Sequence, residues 1–318
     1  KIKAVKSVLI LSNYGWGPVA GNKLKAFFEQ AWYRVIDVVE FRAGEIERYR
    51  EKITRSKAEK LAEEIGASIA DTPRSVAEEA STDVVMVSDD NALNNVVYGD
   101  GGIGSCREGG ALVLNASTVT PMTSSRIYKY LATRGLSYLE APILGSTSEA
   151  RECRLISMIT GDPEQYLRAK SDVEEYSSAV HYVGEVPSAS VVKLAVNNVL
   201  LSIPALLAES LALLEAWGVD PARFKEVVES FWIKPIVDKY WGRIVEEKPT
   251  RFKVQLAGKD CGYVASALRE KGLPAFLSST ASSMYYSAAS NSYLDKDYPL
   301  IERVKRTKQE AVAIATGL

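Results

Sequence analysis

Short apolar runs alternate with amphipathic stretches over the first 180 residues. Val8–Leu11 is a continuous apolar run of strand length, and Tyr33–Phe41 reads as a second strand. Asp83–Val87, Ala111–Asn115 and Ser137–Ala141 give three more. Helical patterns fall between them, at 20–31 and about 54–66 among others, and a charged stretch occupies residues 42–52. Strands alternating with helices in this way predict a doubly wound parallel sheet of the Rossmann type.

Past Gly184 the pattern changes to helical periodicity alone. Ser188 or Ser190 can cap a long helix that runs to Trp217; Gly218 stops it and Asp220-Pro221 starts the next. The chain therefore divides into an α/β domain over 1–186 and an all-α domain over 187–318, joined by that helix. Apolar residues surround the helix almost completely, which predicts burial between the two parts, with a kink at Pro204.

One pair breaks the apolar pattern. Lys193 and Asn197 stand four residues apart, one helical turn, on a face continued by Leu200, Leu201, Pro204, Ala208 and Leu211. An amine on a packing face is costly unless paired, and it is a group whose proton affinity burial can lower for proton transfer. Taken alone, it is also compatible with a snorkelling lysine.

Composition narrows the class. The 318 residues hold 47% hydrophobic and 25% charged residues, an ordinary basis for a full core. Lys plus Arg is 39 against 40 for Asp plus Glu, which gives no reason to expect nucleic acid or an anionic membrane as partner. The expected setting is soluble and cytoplasmic. Cys106, Cys153 and Cys261 are odd in number and lack metal spacing, as in a reducing compartment. His181 is the only histidine, which removes His-dependent triads and two-His metal sites, and no metal is expected. Its strand-like surroundings give it a structural reading.

After the first strand comes Gly15-Trp16-Gly17-Pro18-Val19-Ala20, a G-x-G-x-x-A loop leading into a helix. In that context Gly15 permits the turn, Gly17 lets backbone approach a pyrophosphate, and Ala20 permits close helix–strand packing. The helix N-terminus favours the phosphate charge. Glu40, at the end of the second strand, stands where an acid binds the adenosine ribose of NAD. Arg42, Lys52 and Arg55 follow and could hold the 2′-phosphate of NADP. NADP is the expected cofactor, with NAD the other, and Ser88 is a further cofactor candidate.

Four segments together resemble the β-hydroxyacid dehydrogenase family, which includes 3-hydroxyisobutyrate dehydrogenase, L-serine dehydrogenase and tartronate semialdehyde reductase. They are the glycine loop; Ser117-Thr118-Val119-Thr120-Pro121 with Glu140-Ala141-Pro142; Lys193-Leu194-Ala195-Val196-Asn197; and Leu256-Ala257-Gly258-Lys259-Asp260. The resemblance implies a nicotinamide-dependent oxidoreductase acting on a small 3-hydroxy acid such as 3-hydroxyisobutyrate, L-serine or glycerate. It implies Lys193 as general acid/base, with Asn197 orienting substrate and lysine. Ser117 and Thr118, beside the nicotinamide, would bind the substrate carboxylate, with Gly145 and Ser146 adding contacts. Lys259 would close the site and touch cofactor as well as substrate, with Asp260 helping to place the cofactor or the domain. It also implies a homodimer or homotetramer.

Three departures stand out. The family's A-P-V-S-G-G loop is Ala141-Pro142-Ile143-Leu144-Gly145-Ser146 here, so Leu144 replaces a serine hydroxyl. Residues 42–53 read as an insertion, and the glycine loop ends in Ala20. The change at Leu144 motivates an alternative, a reductase of imines or larger aldehydes, although such an enzyme need not keep Lys193. A second alternative, from another class, is a cofactor-binding scaffold without catalysis.

Overall fold

The computed structural model describes residues 8–11, 34–36, 59, 62–63, 68–106, 111–245, 249–289 and 293–301. The glycine loop, Glu40, Arg42, Arg55 and the helices expected at 20–31 and most of 54–66 lie outside the described residues.

Two compact units divide the chain, the boundary falling between Lys193 and Leu194. The expected division at 186 lies just before the long helix; the observed one lies inside it.

The first unit is built on a nine-stranded sheet. Its strands are β1 (Val8–Leu11), β2 (Arg34–Ile36), β3 (Ser68–Ala70), β4 (Thr82–Met86), β5 (Leu112–Asn115) and β6 (Ser137–Glu140). Then come β7 (Ile143–Leu144), β8 (Leu155–Gly161) and β9 (Ser177–Tyr182). The order is β3-β2-β1-β4-β5-β6-β8-β7, with β9 on β8. The first six strands are parallel neighbours. The sheet is not parallel throughout, because β8 runs antiparallel to both β6 and β7. The chain turns back through the short β7 instead of crossing over by a long helix, and a short return favours antiparallel pairing.

Alternation along β5 places its side chains. Val113 faces a core with Val85, Leu93, Val96, Ile127 and Leu131, supplied by β4 and by helices α2 (Asp90–Tyr98) and α3 (Pro121–Thr133). Leu112 and Leu114 face the opposite core with Leu139, Ile159, Ala169 and Val173, the last two from α5 (Pro163–Glu174). Helices on both faces explain why β5 is apolar at nearly every position. Two short helices, α1 (Pro73–Ala77) and α4 (Thr147–Arg151), also belong to the described part of this unit.

That helix, α6 (Ser188–Ala216), runs unbroken through Pro204. A proline there has no N–H to give Leu200, the carbonyl four residues back. Tyr240 donates to that carbonyl instead at 3.1 Å, and Tyr285 donates to the Leu201 carbonyl at 2.8 Å. Both tyrosines are fully buried, and the Tyr240 hydroxyl satisfies a carbonyl that Pro204 leaves without its helical donor. Gly218 ends the helix with φ +67°, and the Val219 N–H reaches back to Leu214 at 2.8 Å.

The second unit continues with α7 (Pro221–Val228), α8 (Lys234–Val245), α9 (Val254–Glu270) and α10 (Phe276–Ala288). Its core gathers Leu201, Ala208 and Leu211 of α6 with Val237, Tyr240, Ala257, Cys261 and Tyr285. Gly258 makes close packing of α9 on α10 possible, since a Cβ there would stand 3.2 Å from that of Tyr285. The length and hydropathy of α6 would suffice for a membrane span, but its Leu201, Ala205, Leu207, Ala208 and Leu211 supply this core. Val199, Leu206 and Leu213 of α6 are largely exposed, so its apolar surface extends beyond the part that supplies this core.

Candidate active site

The strand order reverses between β1 and β4, which each pair with the other and lead away in opposite directions. In open sheets of this kind a dinucleotide lies at the carboxyl ends of the strands flanking that reversal. The Gly15–Ala20 loop follows β1 in sequence, and Ser88 follows β4, buried, with its hydroxyl donating to Asp89 at 2.9 Å. The topology therefore fits a bound dinucleotide, with the loop and Ser88 as the segments that would hold it.

The turn after β5 is held at both ends. Asn115 accepts from the Ser117 N–H at 3.1 Å and donates to Tyr138 at 2.9 Å. The Ser117 hydroxyl accepts from the Val87 N–H at 2.9 Å and donates to the Val85 carbonyl at 3.4 Å, tying β5 to β4. Ser117 is 2% exposed, so its hydroxyl is occupied by the frame. At the far end, Asp90 accepts from the Thr120 N–H at 2.9 Å, the Thr120 hydroxyl at 2.5 Å and the Thr123 hydroxyl at 2.8 Å. Thr118 lies between these anchors and keeps partial exposure. Nothing local in the sequence singles out Asp90, because its partners are thirty residues away.

Gly145 follows β7 with φ +127°, and a Cβ there would meet Leu155 Cδ2 at 2.7 Å and Glu149 Cβ at 3.0 Å. Only glycine fits both the angle and the space. Ser146 caps α4 in a capping box with Glu149, whose carboxylate accepts the Ser146 N–H at 2.8 Å. Leu144 is partly buried on β7.

In the second unit Asp260, 2% exposed, joins two of the singled-out residues. One carboxylate oxygen accepts from Asn197 Nδ2 at 2.7 Å, and the other pairs with Lys259 Nζ at 3.1 Å. The Lys259 ammonium also lies 4.9 Å from the centre of the Tyr263 ring, a favourable cation–π distance. Asp260 thus gathers Asn197 and Lys259, the first by a hydrogen bond and the second by an ion pair. Lys193, partly exposed, stands one turn before Asn197 on α6, the last residue of the first unit.

Cysteine chemistry is disfavoured here. Burial, with the nearby Asp83 and Glu78, pushes the Cys106 thiol up to about 11. Burial and Asp260 push Cys261 up to about 12. Thiols held protonated are poor nucleophiles. His181 is exposed on β9. Among the described residues no group of three His, Cys, Asp or Glu side chains could hold a metal ion.

Two sequence comparisons agree with this layout. Residues 46–184 match the NAD binding domain of 6-phosphogluconate dehydrogenase. Residues 188–304 match the NAD-binding domain of NADP-dependent 3-hydroxyisobutyrate dehydrogenase. Fold and matched domains define a nicotinamide-dependent oxidoreductase with a Rossmann domain followed by a helical one. The chain belongs to the β-hydroxyacid dehydrogenase family. It is 27% identical over 303 residues to an uncharacterized oxidoreductase of Bacillus subtilis, spanning 94% of this chain and 99% of that one. It is 25% identical over 249 residues to the NAD-dependent L-serine dehydrogenase of Pseudomonas aeruginosa, spanning 75% and 83%. Its fold is similar to that of a Mycobacterium tuberculosis 3-hydroxyisobutyrate dehydrogenase solved with L-serine. There the TM-score is 0.73 at 19% identity, over 95% of this chain and 99% of that one.

Proposed function

We propose that this protein oxidises a small 3-hydroxy acid, such as 3-hydroxyisobutyrate, L-serine or glycerate, reversibly to the corresponding carbonyl, with NADP preferred over NAD. The observation that carries the reading is the Asn197–Asp260–Lys259 group, which fixes an amide one turn beyond Lys193. A bound nicotinamide supplies the hydride acceptor, so the chain needs no covalent nucleophile. Its own task is to bind the acid, orient the carbinol and move one proton.

Lys193 Nζ takes the proton from the substrate hydroxyl during oxidation and returns it during reduction. Asn197, its Nδ2 held by Asp260, orients the substrate and the lysine. Thr118 and the backbone at Gly145 bind the carboxylate, while Ser117 holds the turn that carries Thr118. Leu144 makes one pocket wall apolar and favours an acid with a methyl or methylene there. Arg42 and Arg55 support NADP, through a charge-assisted contact to the 2′-phosphate.

The same reading takes the enzyme as a cytoplasmic homodimer or homotetramer. Three cysteines without a disulfide support the compartment, and exposed Val199, Leu206 and Leu213 supply apolar surface for a subunit contact.

A steady-state panel of L-serine, 3-hydroxyisobutyrate and glycerate with NADP and with NAD tests this function. Turnover of at least one acid, faster with NADP, is expected. Cofactor binding without oxidation of any of them would instead point to a non-catalytic scaffold.

A further inference from the structure

Glu140 is fully buried at the end of β6, yet its carboxylate is directed at the start of the helix that carries Lys193. Oε2 accepts from the Ala189 N–H at 3.1 Å, the Ser190 N–H at 3.4 Å and the Thr160 hydroxyl at 2.5 Å. Oε1 accepts from the Ser190 hydroxyl. Four donors thus converge on one carboxylate, two of them backbone groups of the first turn of α6, which have no partner within the helix. A negative charge at that end is also favoured by the helix dipole.

The link to Lys193 is short. The helical ladder pairs the Lys193 N–H with the carbonyl four residues earlier, that of Ala189. The residue whose N–H Glu140 grips is therefore the one to which the Lys193 backbone is bonded. Glu140 also ties this turn to two strands at once, its own β6 and, through Thr160, β8. The next residues after Glu140 are Ala141-Pro142 and the loop that leads to Gly145. One carboxylate thus anchors the helix bearing the proton-transfer lysine to the strand that leads into the substrate loop.

We propose that Glu140 is a positioning residue for proton transfer: its carboxylate fixes the first turn of α6 and thereby the place of Lys193. The proposal rests on the reading of Lys193 as the acid/base group. Glu140 touches neither the reacting atoms nor the cofactor in this scheme. Its effect should therefore fall on kcat more than on KM or cofactor affinity. Small misplacement of a reacting group lowers the rate steeply, by up to about a hundredfold for about 1 Å.

The test uses the full chain as wild type, Glu140→Gln, Ser190→Ala and Lys193→Ala, with L-serine and 3-hydroxyisobutyrate as substrates. Glu140→Gln keeps the shape but replaces one acceptor oxygen with an amide that donates. Ser190→Ala removes one contact and keeps a good helix former, so it reports even if the first variant folds poorly. Hydrogen exchange over residues 188–197 is measured alongside kcat, KM and the Kd for NADP. Glu140→Gln is expected to speed exchange in that segment and lower kcat by about tenfold or more. KM should stay within about threefold and the NADP Kd should be unchanged, and Ser190→Ala should act in the same direction but less. Unchanged exchange and kcat in both variants would overturn the proposal. So would a parallel loss of kcat, KM and NADP affinity, which marks general damage to the fold. If Lys193→Ala keeps full turnover, the acid/base reading itself fails, whatever the exchange data show.

Discussion

Replacing Asp83 with Asn should stabilise the first unit, and the gain should grow with pH. Asp83 lies on β4 on the same face as Val85 and Val87, pointing into an apolar core, and is 1% exposed. Among the described residues, neither carboxylate oxygen has a hydrogen-bond partner. Burial alone therefore sets its proton affinity and raises the pKa from 3.8 to about 8. A carboxyl with a raised folded-state value contributes no penalty below the unfolded value near 4. Above it the unfolded chain releases the proton and the folded one retains it. Stability then falls as pH rises, until the folded group also ionises near 8. The cost at pH 7 comes to about 4 kcal/mol, and at pH 5 to about 2 kcal/mol. An amide has nearly the shape of a protonated carboxyl and the same lack of partners, so Asp83→Asn should change little near pH 4. Urea unfolding followed by circular dichroism at several pH values between 4 and 9 reads the difference directly. A gain that climbs from near zero and flattens above pH 8 is expected. A difference independent of pH, or a loss at pH 7, would refute the assignment of a neutral buried carboxyl.

Asp260→Asn should lower the melting temperature by about 5–10 °C and kcat/KM by about tenfold or more, since it removes the buried carboxylate paired with the Lys259 ammonium, a loss of about 3 kcal/mol. Thermal scans with steady-state kinetics check it, and wild-type values in both would contradict the linkage. Gly145→Ala should destabilise the first unit by about 1–3 kcal/mol and raise KM, because the new Cβ meets Leu155 and Glu149 at an angle that side chains avoid. Urea unfolding and a substrate titration are the readouts, and wild-type stability would contradict the steric reading.

Much of this arrangement is legible in the sequence because it is local. Short apolar runs mark β4, β5 and β6, and the helix stop at Gly218 and start at Asp220-Pro221 follow from backbone chemistry. Asp220 accepts the Ala222 N–H as a cap residue should. The antiparallel strand β8 is less legible: Leu155–Gly161 is an apolar run whose direction depends on a two-residue β7 with little pattern of its own. The exposed side of α6 is hidden for a related reason. When nearly every position is apolar, periodicity cannot say which ones face the core.

The site divides in the same way. Lys193, Asn197, Lys259 and Asp260 are visible as motifs, but the bond from Asn197 to Asp260 spans 63 residues and only the folded chain shows it. Ser117 reads in sequence as a substrate residue; in the fold its hydroxyl bridges β4 and β5, and Thr118 is left with the exposure a ligand contact requires. Glu140 has no local signature beyond preceding Ala141-Pro142. Its four partners come from residues 160, 189 and 190, so burial and convergence, rather than spacing, reveal it.

The most direct measurement is the single-turnover rate of hydride transfer in Lys193→Ala, followed at the absorbance of the reduced nicotinamide with saturating L-serine or 3-hydroxyisobutyrate. If Lys193 moves the proton, the rate should fall by about a hundredfold to ten-thousandfold while NADP affinity and melting temperature stay at wild-type values. A rate within about threefold of wild type would show that the proton leaves by another route, and the role given to Lys193 would be wrong.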